Sequence, residues 1–297
     1  MADLSNPVIQ LRAAVELSRL PGVGAAKFKA LVDQHGSPFA ALHQIPRQLA
    51  LLGTKEKTGL TSAQLDGLFN LPPSVRFTYY GAADYPQQLL RLAEPPPYLF
   101  RKGSLWPLPP IAVAIVGPRD CSREGVLFAH TLAAQLAASG ALIVSGGALG
   151  IDTAAHRGAL ASEGFSALVT ATGIDRIYPR ENQELFAQVM ERGCLLTELL
   201  LGTPPRRDFF PTRNRIIVGL SDAVIIVEGK LHTGTWSSAN HALKQHRPLF
   251  VWAESPRPEL RELPKQLIER GAIALDMADT KAVMNAAAIR QNRTLPP

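Results

Sequence analysis

The hydrophobic pattern changes character part-way along the chain. From Ile111 onward, short unbroken apolar runs alternate with segments whose apolar residues recur at helical spacing. The runs are Ile111–Val116, Ala141–Val144, Ala167–Thr170, Cys194–Thr197, Ala223–Val227, Leu249–Trp252 and Ala272–Leu275. Apolar runs of this length, without polar alternation, suit strands covered on both faces, the condition of a parallel sheet inside helices. Between the first two runs, Ala129, Leu132, Ala133 and Leu136 mark one face of a helix that Ser122 can cap. This alternation predicts an α/β, Rossmann-like, mostly parallel sheet covered by helices, with ligands at the carboxyl ends of the strands.

Before Ile111 the pattern differs. Residues 1–72 read as short helices and turns: Leu11–Leu20, the turn Leu20-Pro-Gly-Val-Gly24, and Ala25–Gln34. That layout is a small helical domain of helix-hairpin-helix or SAM-like type. Its glycine turn can grip a phosphate with Lys27 and Lys29 assisting, although packing alone is the favoured reading. Asn70-Leu-Pro-Pro-Ser74 is the expected linker, because adjacent prolines end a helix and stiffen the joint. The predicted domains are therefore 1–72 and 73–297. Past the linker we expect a strand at Val75–Tyr80 and a helix from Pro86, with Glu94–Tyr98 and Trp106–Pro110 as extended connectors.

Composition narrows the class. The 297 residues, 46% of them hydrophobic, suffice for one large core and a small one. Cys121 and Cys194 follow no metal or redox spacing, and no apolar run approaches membrane-spanning length, so a soluble cytoplasmic protein without metal or cofactor is expected. The net charge of +6 permits a polyanionic partner, but the positions of the arginines must carry that argument.

Three places have the chemistry of a phosphate receptor. Ile111–Val116 runs into Gly117-Pro118-Arg119, and Ala141–Val144 runs into Ser145-Gly-Gly-Ala-Leu-Gly150. Glycines at a strand-to-helix turn let backbone amides of Ser145, Gly146, Gly147 and Gly150 approach an anion near a helix N-terminus. Asp152 reads as a cap for the second helix. Phe210-Pro-Thr-Arg-Asn-Arg215 then sets Arg213 and Arg215 on either side of Asn214, forked cationic donors bracketing a neutral amide. Ion pairs with nearby acids are the competing reading. Phe210 offers a stacking face to a base or a buried anchor, and both readings stay open.

These motifs, together with Gly173-Ile-Asp-Arg-Ile-Tyr-Pro-Arg-Glu-Asn182, resemble the DprA family, also called Smf, over about Tyr85–Ala288. The resemblance implies a Rossmann-like core that binds single-stranded DNA, protects incoming DNA, and helps load the RecA recombinase during natural transformation, as a homodimer and without catalysis. It places Arg119 at the arginine of the family's Gly-Ser-Arg motif, with Pro118 replacing the hydroxyl residue, and Arg180 at a basic DNA-contacting position. Leu149 stands where the family usually carries a base, and Trp252-Ala-Glu-Ser-Pro256 where it tends to have Val-Pro-Gly. Four phosphate contacts, by Arg119, Arg180, Arg213 and Arg215, predict a log–log salt slope of roughly −3. The rival is a nucleotide-binding or nucleotide-hydrolysing enzyme resembling the LOG proteins. Their signature glutamate is replaced here by Ser238, while Asp152 and Glu228 stay open as acids.

Overall fold

The computed structural model describes residues 6–44, 61–275 and 280–292. Two compact units divide the chain, Met1–Arg101 and Lys102–Pro297, a later cut than the Pro72-Pro73 step suggests.

The first unit begins with α1 (Pro7–Ser18), α2 (Ala25–His35) and α3 (Pro38–Gln44), followed by α4 (Ser62–Gly67). Asn6 caps α1 by accepting from the Val8 amide at 2.9 Å, and Pro7 occupies the first turn, where its missing N–H costs nothing. Gly36, at φ 82°, ends α2 in the left-handed conformation. Lys29 is committed to Asp33 at 2.5 Å and lies over the Tyr80 ring. Lys27, by contrast, stays exposed. The unit closes with β1 (Arg76–Tyr79), the short α5 (Gln87–Leu90) and β2 (Tyr98–Gly103), paired antiparallel to β1. The connectors expected at Glu94–Tyr98 and Trp106–Pro110 leave out β2, which begins on the last residue of the first of them. Three prolines directly before it hid a strand that starts at the residue after the last of them.

The second unit alternates β3 (Ala112–Val116), α6 (Arg123–Ala138), β4 (Leu142–Ser145), α7 (Ile151–Ala161), β5 (Ser166–Val169), α8 (Gln183–Arg192) and β6 (Gly193–Thr197). It continues with α9 (Phe209–Leu220), β7 (Ala223–Val227), α10 (Gly234–Lys244), β8 (Leu249–Trp252), α11 (Glu262–Glu269), β9 (Ile273–Ala274) and α12 (Thr280–Asn292). All seven strands are parallel, in the order β6-β5-β4-β3-β7-β8-β9. The predicted strands are all present within a residue or two of their expected bounds.

This order places the site. The chain lays down β3 to β6 outward in one direction, then returns through α9 to set β7 on the other side of β3. The crevice at such a switch point opens at the carboxyl ends of β3, β4 and β7. One face of the sheet packs Val113, Ile115, Ile143, Ile225 and Phe250 against Phe128, Leu132, Ala155 and Val283 from α6, α7 and α12. Phe128 stacks on Trp252 with centroids 4.9 Å apart. At the opposite end of β3, Asp222 Oδ2 accepts from the Ala112 amide, pinning the strand away from the crevice.

Candidate nucleic-acid interface

Both glycine turns carry an acid of their own. In the first, Ser122 caps α6 as expected, its Oγ accepting from the Gly125 amide at 2.8 Å. The Glu228 carboxylate, wholly buried after β7, then accepts from the Ser122 amide at 2.9 Å and from the Ser122 hydroxyl. Glu228 holds φ 61°, a left-handed conformation costly for a glutamate, and the two bonds to the helix N-terminus hold it there. Gly117 packs against the Val227 carbonyl and Ile151, with no room for a side chain. The pole of α6 thus holds an acid of its own at Ser122, where Gly117 and this helix N-terminus were expected to receive a phosphate.

The second turn is built on Asp152. Contrary to expectation it does not cap α7: Gly150 is the N-cap residue, without a side-chain bond. Asp152 is buried instead and takes the Ala148 amide at 3.4 Å, with the Gly146 amide beside it. Burial pushes its carboxyl up, and Arg213 and those amides pull it back. Ser145 Oγ reaches the Ile115 carbonyl at 2.7 Å. Ser145, Gly146 and Gly147 are all buried, and of the amides expected to meet an anion outside, that of Gly146 turns inward to Asp152.

Arg213 completes that interior network. Its Nη1 donates to the Gly146 carbonyl at 2.6 Å and to the Val169 carbonyl, and its Nε donates to Asn214 Oδ1 at 3.2 Å. Burial pushes its pKa down to about 10, opposed by the Asp152 charge and reinforced by Arg119, so it stays cationic at neutral pH. Asn214 Nδ2 donates to the Gly234 carbonyl at 3.1 Å, and Arg215 pairs with Glu198. Burial raises Glu198, and the guanidinium counters it. The Arg-Asn-Arg cluster expected to hold phosphate therefore braces the turn: Arg213 and Asn214 are only 6% and 7% exposed, and Arg215 is spent on an acid. The motif marks the segment but not the rotation of α9, which turns Arg213 inward.

The outward chemistry lies elsewhere. Arg119 is exposed and has no carboxylate partner among the described residues; its guanidinium lies 5.2 Å from the Phe210 ring centroid and 6.0 Å from that of Tyr178. Those two rings meet edge to face at 5.7 Å, and Arg213 sits 5.9 Å from Phe210 on its inner side. Two residues past Tyr178, Arg180 begins a short 3₁₀ turn, exposed and likewise without an acid among the described residues. Asn182 shapes that turn, as expected, donating to the Gly147 carbonyl at 3.0 Å and to Thr153 Oγ1 at 2.8 Å. Gly150 ties in the rim: at φ 82° and ψ −127°, a side chain on it would meet the Pro118 and Arg119 carbonyls at 2.5 and 2.6 Å. Tyr178 was missed in the sequence; an aromatic residue two places before Arg180 was the available signal.

A half-exposed pair of rings under a free guanidinium, with a second cation beside them, can stack bases and neutralise phosphates together. The family model for DNA recombination-mediator protein A matches residues 76–287, and that for a DprA-like N-terminal helix-hairpin-helix domain matches residues 10–64. The chain belongs to the DprA family.

DprA relatives bear this out. Protein Smf of Escherichia coli is 35% identical over 232 residues, covering 73% of this chain and 62% of its own length. The DNA processing protein DprA of Bacillus subtilis is 37% identical over 196 residues, 66% of each chain, and Protein Smf of Synechocystis is 37% identical over 64% of this chain and 48% of its own length. The chain thus spans about half to two thirds of these curated relatives. The solved DprA of Streptococcus pneumoniae superposes with a TM-score of 0.71 at 28% identity, covering 93% of this chain and 92% of that one. DNA processing protein A of Helicobacter pylori, whose structure describes a single-stranded DNA binding mode, superposes with a TM-score of 0.64 at 31% identity, over 71% of this chain and 97% of that one. No helix among the described residues is long and apolar enough to cross a membrane.

Proposed function

We propose that this DprA-family chain binds single-stranded DNA along the rim formed by Arg119, Tyr178, Arg180 and Phe210, and serves as a non-catalytic mediator of recombination. The observation that carries this reading is the Arg119 guanidinium over both rings, with Arg180 beside them. Aromatic faces grip any base, and free guanidiniums grip any phosphate, so the rim suits a polymer of arbitrary sequence. The single-stranded DNA binding described for the Helicobacter pylori relative supports it. Protection of incoming DNA, loading of RecA and a homodimeric state rest on family membership alone, and a domain boundary near residue 72 rests on the Pro72-Pro73 step.

The acids open to the hydrolytic rival are engaged within the fold. Glu228 is buried against Ser122, Asp152 is buried against Arg213, and Ser238, only 2% exposed, faces the Gly234 carbonyl. Titration with single- and double-stranded oligonucleotides at several salt concentrations tests the proposal. Two rim arginines give a log–log slope of about −1.4 for a short single strand, at about −0.7 per contact. Arg119→Ala/Arg180→Ala should weaken binding to all sequences alike and flatten that slope. Equal affinity for duplex, or a variant that binds as the wild type does, would refute it.

A further inference from the structure

Between α6 and α7, on the face away from the sheet, runs an open groove that the rim does not use. Arg123, Val126, Leu127 and His130 line it from α6, and Gly150, Thr153, Ala154 and Arg157 line it from α7. Each set follows the spacing i, i+3, i+4, i+7, one helical face over two turns, about 10 Å long. Both helices lead from one parallel strand to the next, so they run in the same direction. Gly158 fixes their register by packing directly on the His130 carbonyl. Arg123 therefore lies level with the start of α7, while His130 and Arg157 lie two turns further along.

The groove has a definite electrostatic sense. Arg123 and Arg157 are exposed, His130 is half-exposed, and none of the three has an acidic partner among the described residues. Glu124 is the one acid lining it. Between the cations, Val126 and Leu127 are 38% and 64% exposed, an apolar floor that a solvated helix surface has no need of. The groove begins beside the backbone that carries Arg119. Gly150, its first residue on α7, is the residue on which the Arg119 backbone rests.

We propose that this groove is a second track for single-stranded nucleic acid, taking the strand where it leaves the rim at Arg119. Arg123, His130 and Arg157 meet successive phosphates, and Val126 and Leu127 carry the bases. This rests on the rim reading above. It makes binding depend on length: a short strand fills the rim, and a longer one gains the groove.

Oligothymidylates of about 4 and about 20 nucleotides bracket the ordinary range of single-strand sites. For the wild type, the salt slope should steepen from about −1.4 with the short strand to about −2.8 with the long one, two further arginine contacts. Arg123→Ala/Arg157→Ala should return the long-strand slope to about −1.4 and weaken long-strand binding roughly 3- to 10-fold, leaving the short strand unchanged. Glu124→Gln should tighten long-strand binding about two-fold, a gain that misfolding cannot produce. If groove variants bind both lengths as the wild type does, or weaken both equally, the second track is refuted while the rim stands. If the wild type binds neither length, or Arg119→Ala/Arg180→Ala loses neither, the rim reading falls and the groove inference falls with it.

Discussion

Arg213 donates to the Gly146 carbonyl from inside the protein, so the guanidinium that most resembles a ligand contact in the sequence holds the glycine turn in place. Its charge answers Asp152 beneath the same turn. Both side chains are buried on the same turn, Asp152 through the Ala148 amide and Arg213 through the Gly146 and Val169 carbonyls.

Breaking that pair from one side should be expensive. Arg213→Met removes the positive charge near buried Asp152 and leaves two carbonyls without donors, at a cost of about 2–6 kcal/mol, from about 1–3 kcal/mol for each orphaned acceptor. Adding Asp152→Asn should recover at least about 1 kcal/mol of it, since the two residues share one network. Urea denaturation of the four members of this cycle is the check. Strictly additive losses would show that the two do not interact.

His156 makes stability depend on acid. It is wholly buried, Nδ1 bonds to Ser166 Oγ at 2.7 Å, and burial, with Arg213 adding to it, lowers its pKa from 6.5 to about 3. The unfolded chain then binds a proton that the folded one refuses. Stability from this residue is complete above pH 6.5 and declines as the pH falls toward 3. Between pH 6.5 and 5 the loss is about 2 kcal/mol, on the scale of 1.36 kcal/mol per unit. Asp152 and Glu198, raised by burial, act in the opposite sense, losing stability as the pH rises through their folded-state values. Comparing the pH profiles of wild type and His156→Gln isolates the histidine. Parallel profiles from pH 7 to 5 would contradict the assignment.

Ser122 serves both helix and acid. Ser122→Ala removes the cap on Gly125 and one of two donors to Glu228, a loss of about 2–4 kcal/mol from a missing cap and a poorly satisfied buried carboxylate. Ser122→Thr retains the hydroxyl and should keep most of the stability. Thermal melting distinguishes them, and an alanine variant melting with the wild type would be the contrary result.

Gly150 joins stability to binding. Gly150→Ala places a methyl against the Pro118 and Arg119 carbonyls in a backbone conformation reserved for glycine, costing roughly 2–5 kcal/mol. Because the displaced backbone carries Arg119, single-strand affinity measured well below the melting temperature should fall too. A destabilised variant with unchanged affinity would separate Gly150 from the rim.

The fold was legible where periodicity speaks. Seven apolar runs gave seven parallel strands, and Ser122 gave its cap, because a strand buried on both faces leaves little freedom in composition. The site was legible in part. Arg119, Arg180 and Asn182 follow strand ends and turn chemistry, and the structure puts all three about the rim. Arg213, Asn214 and Arg215 fell on the right helix but not on the exposed face, since which face of α9 turns inward depends on β4 and β5 over forty residues upstream. Glu228 and Asp152 were open as acids, yet no local pattern tells that a carboxylate will fold back into a turn in its own chain.

The carboxylate seated at the head of α6 has a bearing on selectivity. A pole that carries its own anion has nothing to offer the pyrophosphate of a free nucleotide, which on this architecture would seek that spot. On the rim reading proposed above, a polymer is held instead by several weak contacts along the exposed edge at Arg119, Tyr178 and Phe210. Filling the deep pocket from within is one way a scaffold suited to small cofactors can turn toward long, featureless strands.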